Sequence, residues 1–379
     1  LYLQGEIENF IKNKRLKARA TPNDSLFNNQ WHHLNNIDPG QTVPRGINSI
    51  GAWDFQKGIT TAYGDTIVVA VCDFGFDTAH EDLDYFINHN EIPNDGIDND
   101  SNGAKDDYRG WGVGSNNSVL SGPEPQHGMA ACGGIAAIGN NNKGVAGVAW
   151  NCKLLPLSDI ATISNSIKAF EYCLNMKRRY RQSNKQKGAY IVAINYSLGT
   201  TGFLPADEPL WCAAIDSLGN EGILLSVSVD NKSQDVETYM DMPVLCNSHY
   251  QINVTTYDAT TLGLDASAYS DSFVHLAAPH KYHTTLQDNK YGVYKSGASF
   301  AAPIVSGAIA LMYSNFDKKL LDTLHNNPQL VTRKIKEVIL KQVDVTAGLT
   351  NKVVSNGKIN LFKTITIAKT FQDSFYPRG

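Results

Sequence analysis

From Gly64 onward the chain alternates short, nearly continuous apolar runs with longer stretches whose apolar residues recur at helical spacing. Short apolar runs bounded by turn residues read as buried strands, and the longer periodic stretches as helices laid against them. Strands are predicted from Thr66 to Cys72, Lys153 to Leu157, Ile191 to Tyr196, Ile223 to Val229, Gln251 to Thr255 and Phe273 to Ala277. Helices are predicted near His127 to Ile138, Asn165 to Tyr180, Pro209 to Leu218, Ser299 to Tyr313 and Val331 to Lys341. This alternation is the pattern of βαβ units, so the fold class expected is α/β: a mainly parallel sheet in a three-layer α/β/α arrangement. Ligands of such sheets gather at the carboxyl ends of the strands, where the chemistry should be sought.

Three segments carry that chemistry. The run Lys295-Ser296-Gly297-Ala298-Ser299-Phe300-Ala301-Ala302-Pro303 sets one serine among small residues, directly before a long apolar helix. The small neighbours let a peptide backbone approach the hydroxyl, and the positive end of the helix faces charge developing beside Ser299. The first predicted strand ends on Asp73, and His127-Gly128-Met129 opens a second apolar helix. A serine hydroxyl is a weak nucleophile unless an imidazole takes its proton and a carboxylate holds the imidazole in one tautomer. Asp73, His127 and Ser299 supply those groups in the order Asp, His, Ser.

That order and its flanks resemble the subtilisin-like serine peptidases over nearly the whole chain, from about Pro22 to Phe362. The likeness rests on Asp73 in Asp-Phe-Gly-Phe-Asp-Thr-Ala-His-Glu-Asp-Leu, His127 in His-Gly-Met and Ser299 in Gly-Ala-Ser-Phe-Ala-Ala-Pro. It implies a serine endopeptidase acting through an acyl-enzyme on a peptide or protein substrate. It also implies that Asn231, with the backbone amide of Ser299, holds the oxyanion. The substrate would lie between two pocket walls, Ser197-Leu198-Gly199 and Ser228-Val229-Asp230. The sequence departs from the family at three points: Asp230 stands for a glycine, and Met129 and Ala298 for threonines. Asp230 would narrow the pocket or favour a basic residue, or else point away or bind locally. The departures keep open a narrow-specificity processing peptidase and a catalytically weak peptide-binding relative. No Gly-x-Ser-x-Gly elbow or Ser-Asp-His order supports a lipase or esterase.

Two regions are candidate Ca2+ sites. The loop from Asn94 to Asp107 alternates carboxylates and amides around glycines, the oxygen-rich pattern calcium requires, with Asp95, Asp98, Asp100, Asn102, Asp106 and Asp107 as candidate ligands. The family resemblance implies a second, structural site formed by Asp24, Asp82, Gly139, Asn141, Lys143 and Val145.

Composition narrows the rest. Apolar residues make up 42% and charged residues 18%, enough for a sizeable core, and the formal net charge is −4. No basic run points to nucleic acid, and Lys177-Arg178-Arg179-Tyr180-Arg181 reads as the solvated end of a helix. No apolar run is long enough to span a membrane. Of the cysteines, Cys72 and Cys132 read as core thiols near the triad, while Cys152, Cys173, Cys212 and Cys246 are available for disulfides of unassigned connectivity. Leu1 to Gly5 looks like a cloning scar, and residues 6–20 like an N-terminal helix or the remnant of an inhibitory pro-segment. The expected organisation is a peptidase domain over residues 21–365 and a tail over 366–379, in a monomer that is secreted or in the cell envelope.

Overall fold

The structure is a computed structural model that describes residues 21–295 and 297–367. The readings of residues 1–20 as scar and pro-segment, and of the tail beyond residue 367, lie outside the described residues. In chain order the strands are β1 (Ile67–Cys72), β2 (Trp111–Gly112), β3 (Lys153–Ser158), β4 (Tyr190–Tyr196), β5 (Thr200–Thr201), β6 (Leu224–Ser228) and β7 (Asp241–Met242). They continue with β8 (Gln251–Thr256), β9 (Leu276–Ala278), β10 (His283–Leu286), β11 (Lys290–Val293), β12 (Asp344–Val345) and β13 (Gly357–Lys358). Nine form one sheet in the order β12-β13-β9-β8-β6-β4-β1-β3-β2. All its pairings are parallel except β12 with β13.

β1 shows how apolar sequence becomes a three-layer core. Successive strand residues face opposite sides of a sheet. Ile67, Val69 and Val71 enter the cluster that holds the helices Pro125–Ala136, Ala301–Asn315 and Pro328–Lys341. Val68, Ala70 and Cys72 enter the cluster that holds Ile163–Gln182 and Pro209–Gly219. Each large side chain so buried contributes about 1.5–3 kcal/mol, which is why the run alternates in direction but not in polarity. Asp73 follows directly, its N–H donating to the Leu157 carbonyl at 3.1 Å, so the register with β3 sets the place of the carboxylate.

The structure corrects three expectations. The strand predicted from Phe273 begins only at Leu276, because the Ser270 hydroxyl accepts the Ser272 and Phe273 N–H groups and folds that stretch into a turn. The basic run is not merely solvated: Lys177 is buried and donates to the Gly222 carbonyl, Arg178 and Arg181 pair with Glu221, and Arg179 with Asp100. Of the four cysteines offered for disulfides, Cys212 and Cys246 are bridged, whereas Cys152 and Cys173 are free and buried. Residues 361–367 are helical and Ile365 is fully buried, which ties the end of the expected peptidase domain to the core.

Candidate active site

Asp73 directly follows β1 and Asn231 lies three residues beyond β6, both past the carboxyl ends of sheet strands, while His127 lies in the helix Pro125–Ala136 and Ser299 in the turn Ala298–Phe300. His127 lies in the first turn of its helix, and its Nδ1 bonds the two Asp73 oxygens at 2.7 and 2.9 Å. Asp73 is fully buried, and its Oδ1 also accepts the Phe74 N–H at 2.7 Å. With Nδ1 given to the carboxylate, Nε2 is left as the basic nitrogen. Burial of the imidazole works to lower its pKa, but the charge and hydrogen bond of Asp73, helped by Glu124, outweigh it and hold His127 above its ordinary value. Glu124 in turn accepts from Tyr294 and is paired with Lys295.

Local packing explains the residue types. A Cβ at Gly128 would stand 2.2 Å from the Gly75 carbonyl oxygen, so the residue after His127 must be glycine for the helix to approach the loop after Asp73. Met129 is buried, and its sulfur accepts the Asp77 N–H at 3.2 Å, filling the place of the expected threonine without touching the proton path. Thr284 and Thr285 on β10 donate to the carbonyls of Ala130 and Met129, fixing this helix from outside. Cys72 and Cys132 are fully buried with thiols pushed well up by desolvation, so they are core residues and not reactive thiolates.

Ser299 sits in the 3-10 turn Ala298–Phe300, just ahead of the helix Ala301–Asn315. The Phe300 ring lies 5.1 Å from the His127 ring, so the imidazole packs against the turn that carries Ser299. Gly297 has φ of 146°, and a Cβ there would stand 2.7 Å from Asn231 Oδ1. That oxygen accepts the Ala298 N–H at 2.9 Å, anchoring the Asn231 amide beside the serine with its NH2 group left over. From below, the Ser197 hydroxyl donates to the Ser299 carbonyl at 2.9 Å. A cavity of roughly 300 Å³ opens beside Ser299 between Ser197, Leu198 and Gly199 on one side and Ser228, Val229, Asp230 and Asn231 on the other. The expected pocket walls are thus brought together, except that the Ser197 side chain is spent on the backbone. Asp230 binds locally: its Oδ1 accepts the Asn231 N–H at 2.5 Å, and its Oδ2 lies 3.3 Å from Lys232 Nζ.

The sequence profile of the Subtilase family matches residues 64–358. The chain belongs to that family. Among its relatives are subtilisin-like protease 1 of Plasmodium berghei, 27% identical over 96% of this chain and 59% of the relative. The extracellular basic protease of Dichelobacter nodosus is 30% identical over 80% of this chain and 50% of the relative. The chain therefore spans only about half to three-fifths of these relatives' length. In fold, it is similar to a solved structure of proteases from Pseudoalteromonas arctica, with a TM-score of 0.63, 23% identity, and coverage of 92% of this chain and 100% of that one.

Two features of this subtilase lay beyond sequence reasoning. The first is a second Asp–His pair behind the nucleophile. The buried His280 accepts the Gly297 N–H on Nδ1 at 3.1 Å, and its Nε2 bonds Asp265 Oδ2 at 2.8 Å. The second is Asp241, a buried carboxylate on β7 that lines the cavity. Neither lies in a recognisable motif, and only tertiary packing brings them to the site.

The acidic loop of the subtilase is also re-sorted. Asp106 is turned to the N–H groups of Asp95 and Gly96, and Asp95 to Ile97 and Asn99. Asp107 is taken by Asn88, Asn102 and Tyr172. What converges instead is Glu91, Asp98 and Asp100, whose ligand oxygens lie within 4.8 Å of one another and could hold a metal ion. Glu91, outside the segment singled out in the sequence, offers a buried Oε2 with no hydrogen-bond partner. At the other expected site Asp24, Asp82, Asn141 and Val145 meet. There the Asn141 amide group donates to Asp82 Oδ1 at 2.6 Å, its own oxygen accepts the Lys143 N–H, and Val145 N–H donates to Asp82. Asp24 Oδ1 is buried without a partner, an oxygen suited to a cation. Gly139 packs on the Trp150 ring, and the Lys143 ammonium pairs with Glu81.

Proposed function

We propose that this subtilase is a serine endopeptidase in which Ser299 attacks the scissile carbonyl. His127 Nε2 takes the serine proton and returns it to the leaving amine, while Asp73 holds the tautomer and stabilises the imidazolium. The Asn231 amide and the Ser299 N–H hold the oxyanion, the groups whose worth lies in being positioned before charge develops. The observation that carries this reading is the doubly bonded Asp73–His127 pair, which occupies Nδ1 and leaves Nε2 as the nitrogen able to take a proton. The backbone of Ser197 to Gly199 would pair with an extended substrate. An adjacent apolar cavity of roughly 290 Å³ lined by Phe74, Ile160, Tyr196 and Trp211 would take another of its side chains. Incubating the protein with a mixed peptide library and mapping the cuts by mass spectrometry tests the reading. Cleavage abolished by Ser299→Ala supports it, and no cleavage by folded protein counts against it.

Calcium fits both acidic sites. It would supply a charge that satisfies the orphaned oxygens of Glu91 and Asp24 and ties distant segments together. Bound only by the folded state, it adds about 2.7 kcal/mol at a hundred times its Kd. Chelation should therefore lower the melting temperature. Glu91→Gln should remove a large part of that response, and Asp95→Asn should leave it, since Asp95 faces the backbone. Equal effects of the two substitutions would reject this ligand set. Export is supported by the Cys212–Cys246 bridge, since disulfides persist in oxidising compartments, and by the extracellular relative.

A further inference from the structure

The cavity beside Ser299 contains a charge that the hydrolytic steps do not use. Asp241 is 2% exposed, and its Oδ2 accepts the Asp230 N–H at 3.0 Å. Its Oδ1 lies beside Gly199, where a Cβ would stand 3.6 Å from it, and both residues line the cavity. β7 holds it there by pairing Asp241 with Thr201, so both sides of the cavity floor are fixed by one ladder. The neighbouring Asp230 is answered locally by the Asn231 N–H and by Lys232. Among the described residues no cation pairs with Asp241 directly, Lys232 acting on it only at a distance, and the described lining contains two carboxylates and no lysine or arginine. A carboxylate held away from water without a counter-ion is costly, and a partner that brings the cation recovers that cost on binding.

We propose that Asp241 determines specificity, selecting peptides with lysine or arginine at the residue whose carbonyl Ser299 attacks. The inference rests on the catalytic reading above, because that reading fixes which substrate residue enters this cavity. The cavity's volume leaves room for one long side chain between the two walls, with its charged end at β7. Burial pushes the Asp241 carboxyl up to about 7, with the Asp230 N–H and the Lys232 charge opposing and the Asp230 charge adding to the rise. Asp230, Lys232 and the nearby Tyr239 are the charged or titratable groups that act on it or are acted on by it. The ionised form recognises the cation, so selectivity strengthens as pH rises through about 7.

Binding can be read without turnover in the Ser299→Ala protein, using fluorescent acyl-tripeptides that end in arginine, citrulline or leucine. Citrulline keeps the shape of arginine and removes the charge. The arginine peptide should bind at least about tenfold more tightly than the citrulline one. Asp241→Asn and Asp241→Ser, each confirmed folded by circular dichroism, should erase that ratio, and Asp230→Asn should keep it. Equal binding of arginine and citrulline, no binding of any peptide, or a ratio that survives both Asp241 substitutions would overturn the assignment. Fluorophosphonate labelling of the unsubstituted protein reports the catalytic reading separately. Label on Ser299 with no arginine preference sinks only the role of Asp241. Preference without label sinks only the chemistry.

Discussion

Two Asp–His pairs flank the nucleophile turn, and they are wired in opposite senses. In Asp73–His127 the carboxylate takes Nδ1, so Nε2 remains a base, and the net effect of Asp73 and Glu124 is to raise the imidazole pKa despite burial. In Asp265–His280 the carboxylate takes Nε2, and Nδ1 accepts the Gly297 N–H, so no basic nitrogen is left. Here burial is the largest influence and wins, lowering His280 below its ordinary value, while Asp265 divides its Oδ2 between His280 and Lys281. The same two residue types thus leave a free basic nitrogen in one place and bracket the backbone in the other. What differs is which ring nitrogen meets the carboxylate and what the second nitrogen is given.

The largest way to break the comparison is to exchange the roles by mutation. His127→Ala should cost about 10⁶ in kcat, and Asp73→Asn about 10⁴ through the wrong tautomer, both read by peptide hydrolysis. Asp265→Asn should cost far less, because it disturbs only the support of Gly297. Comparable losses in Asp73→Asn and Asp265→Asn would erase the distinction. His280→Ala should lower kcat by up to about 10² through displacement of the Gly297–Ser299 turn, with KM little changed, and His280→Asn should recover part of it by offering an acceptor. A KM effect without a kcat effect would show that His280 serves the pocket and not the nucleophile.

The smallest effect is in pH. Activity should fall about tenfold per unit as pH drops through the raised pKa of His127, above the ordinary value near 6.5. His280, whose folded pKa is depressed, contributes stability that is present above the unfolded value and lost as pH falls through the lower folded one. Activity should therefore disappear at higher pH than folding does. A kcat/KM profile set against the melting temperature over the same buffers checks this, and coincident midpoints would contradict it.

Much of this was legible in the sequence for reasons visible in β1 and its neighbours. A short run rich in β-branched residues and apolar on both faces reads as a buried strand, and a carboxylate placed at its end then lies at the sheet's carboxyl edge. Asp73, His127 and Ser299 each sit next to a strong element signal, so their elements and their order could be read together. Asp265, His280, Asp241 and Glu91 could not be found that way. Asp265 and His280 meet across a loop and a turn, Asp241 reaches the pocket only through the two-residue pairing of β5 with β7, and Glu91 precedes the acidic loop it joins. Their roles depend on contacts between segments distant in sequence, which periodicity does not report.

Activation of Ser299 by the Asp73-bonded His127 is the step on which the proposed hydrolysis depends. Fluorophosphonate labelling of the calcium-loaded protein, followed by peptide mapping, tests it most directly. A single label on Ser299 is expected, with a rate that collapses in His127→Ala and survives in His280→Asn. Label on another residue, or a rate indifferent to His127, would contradict it.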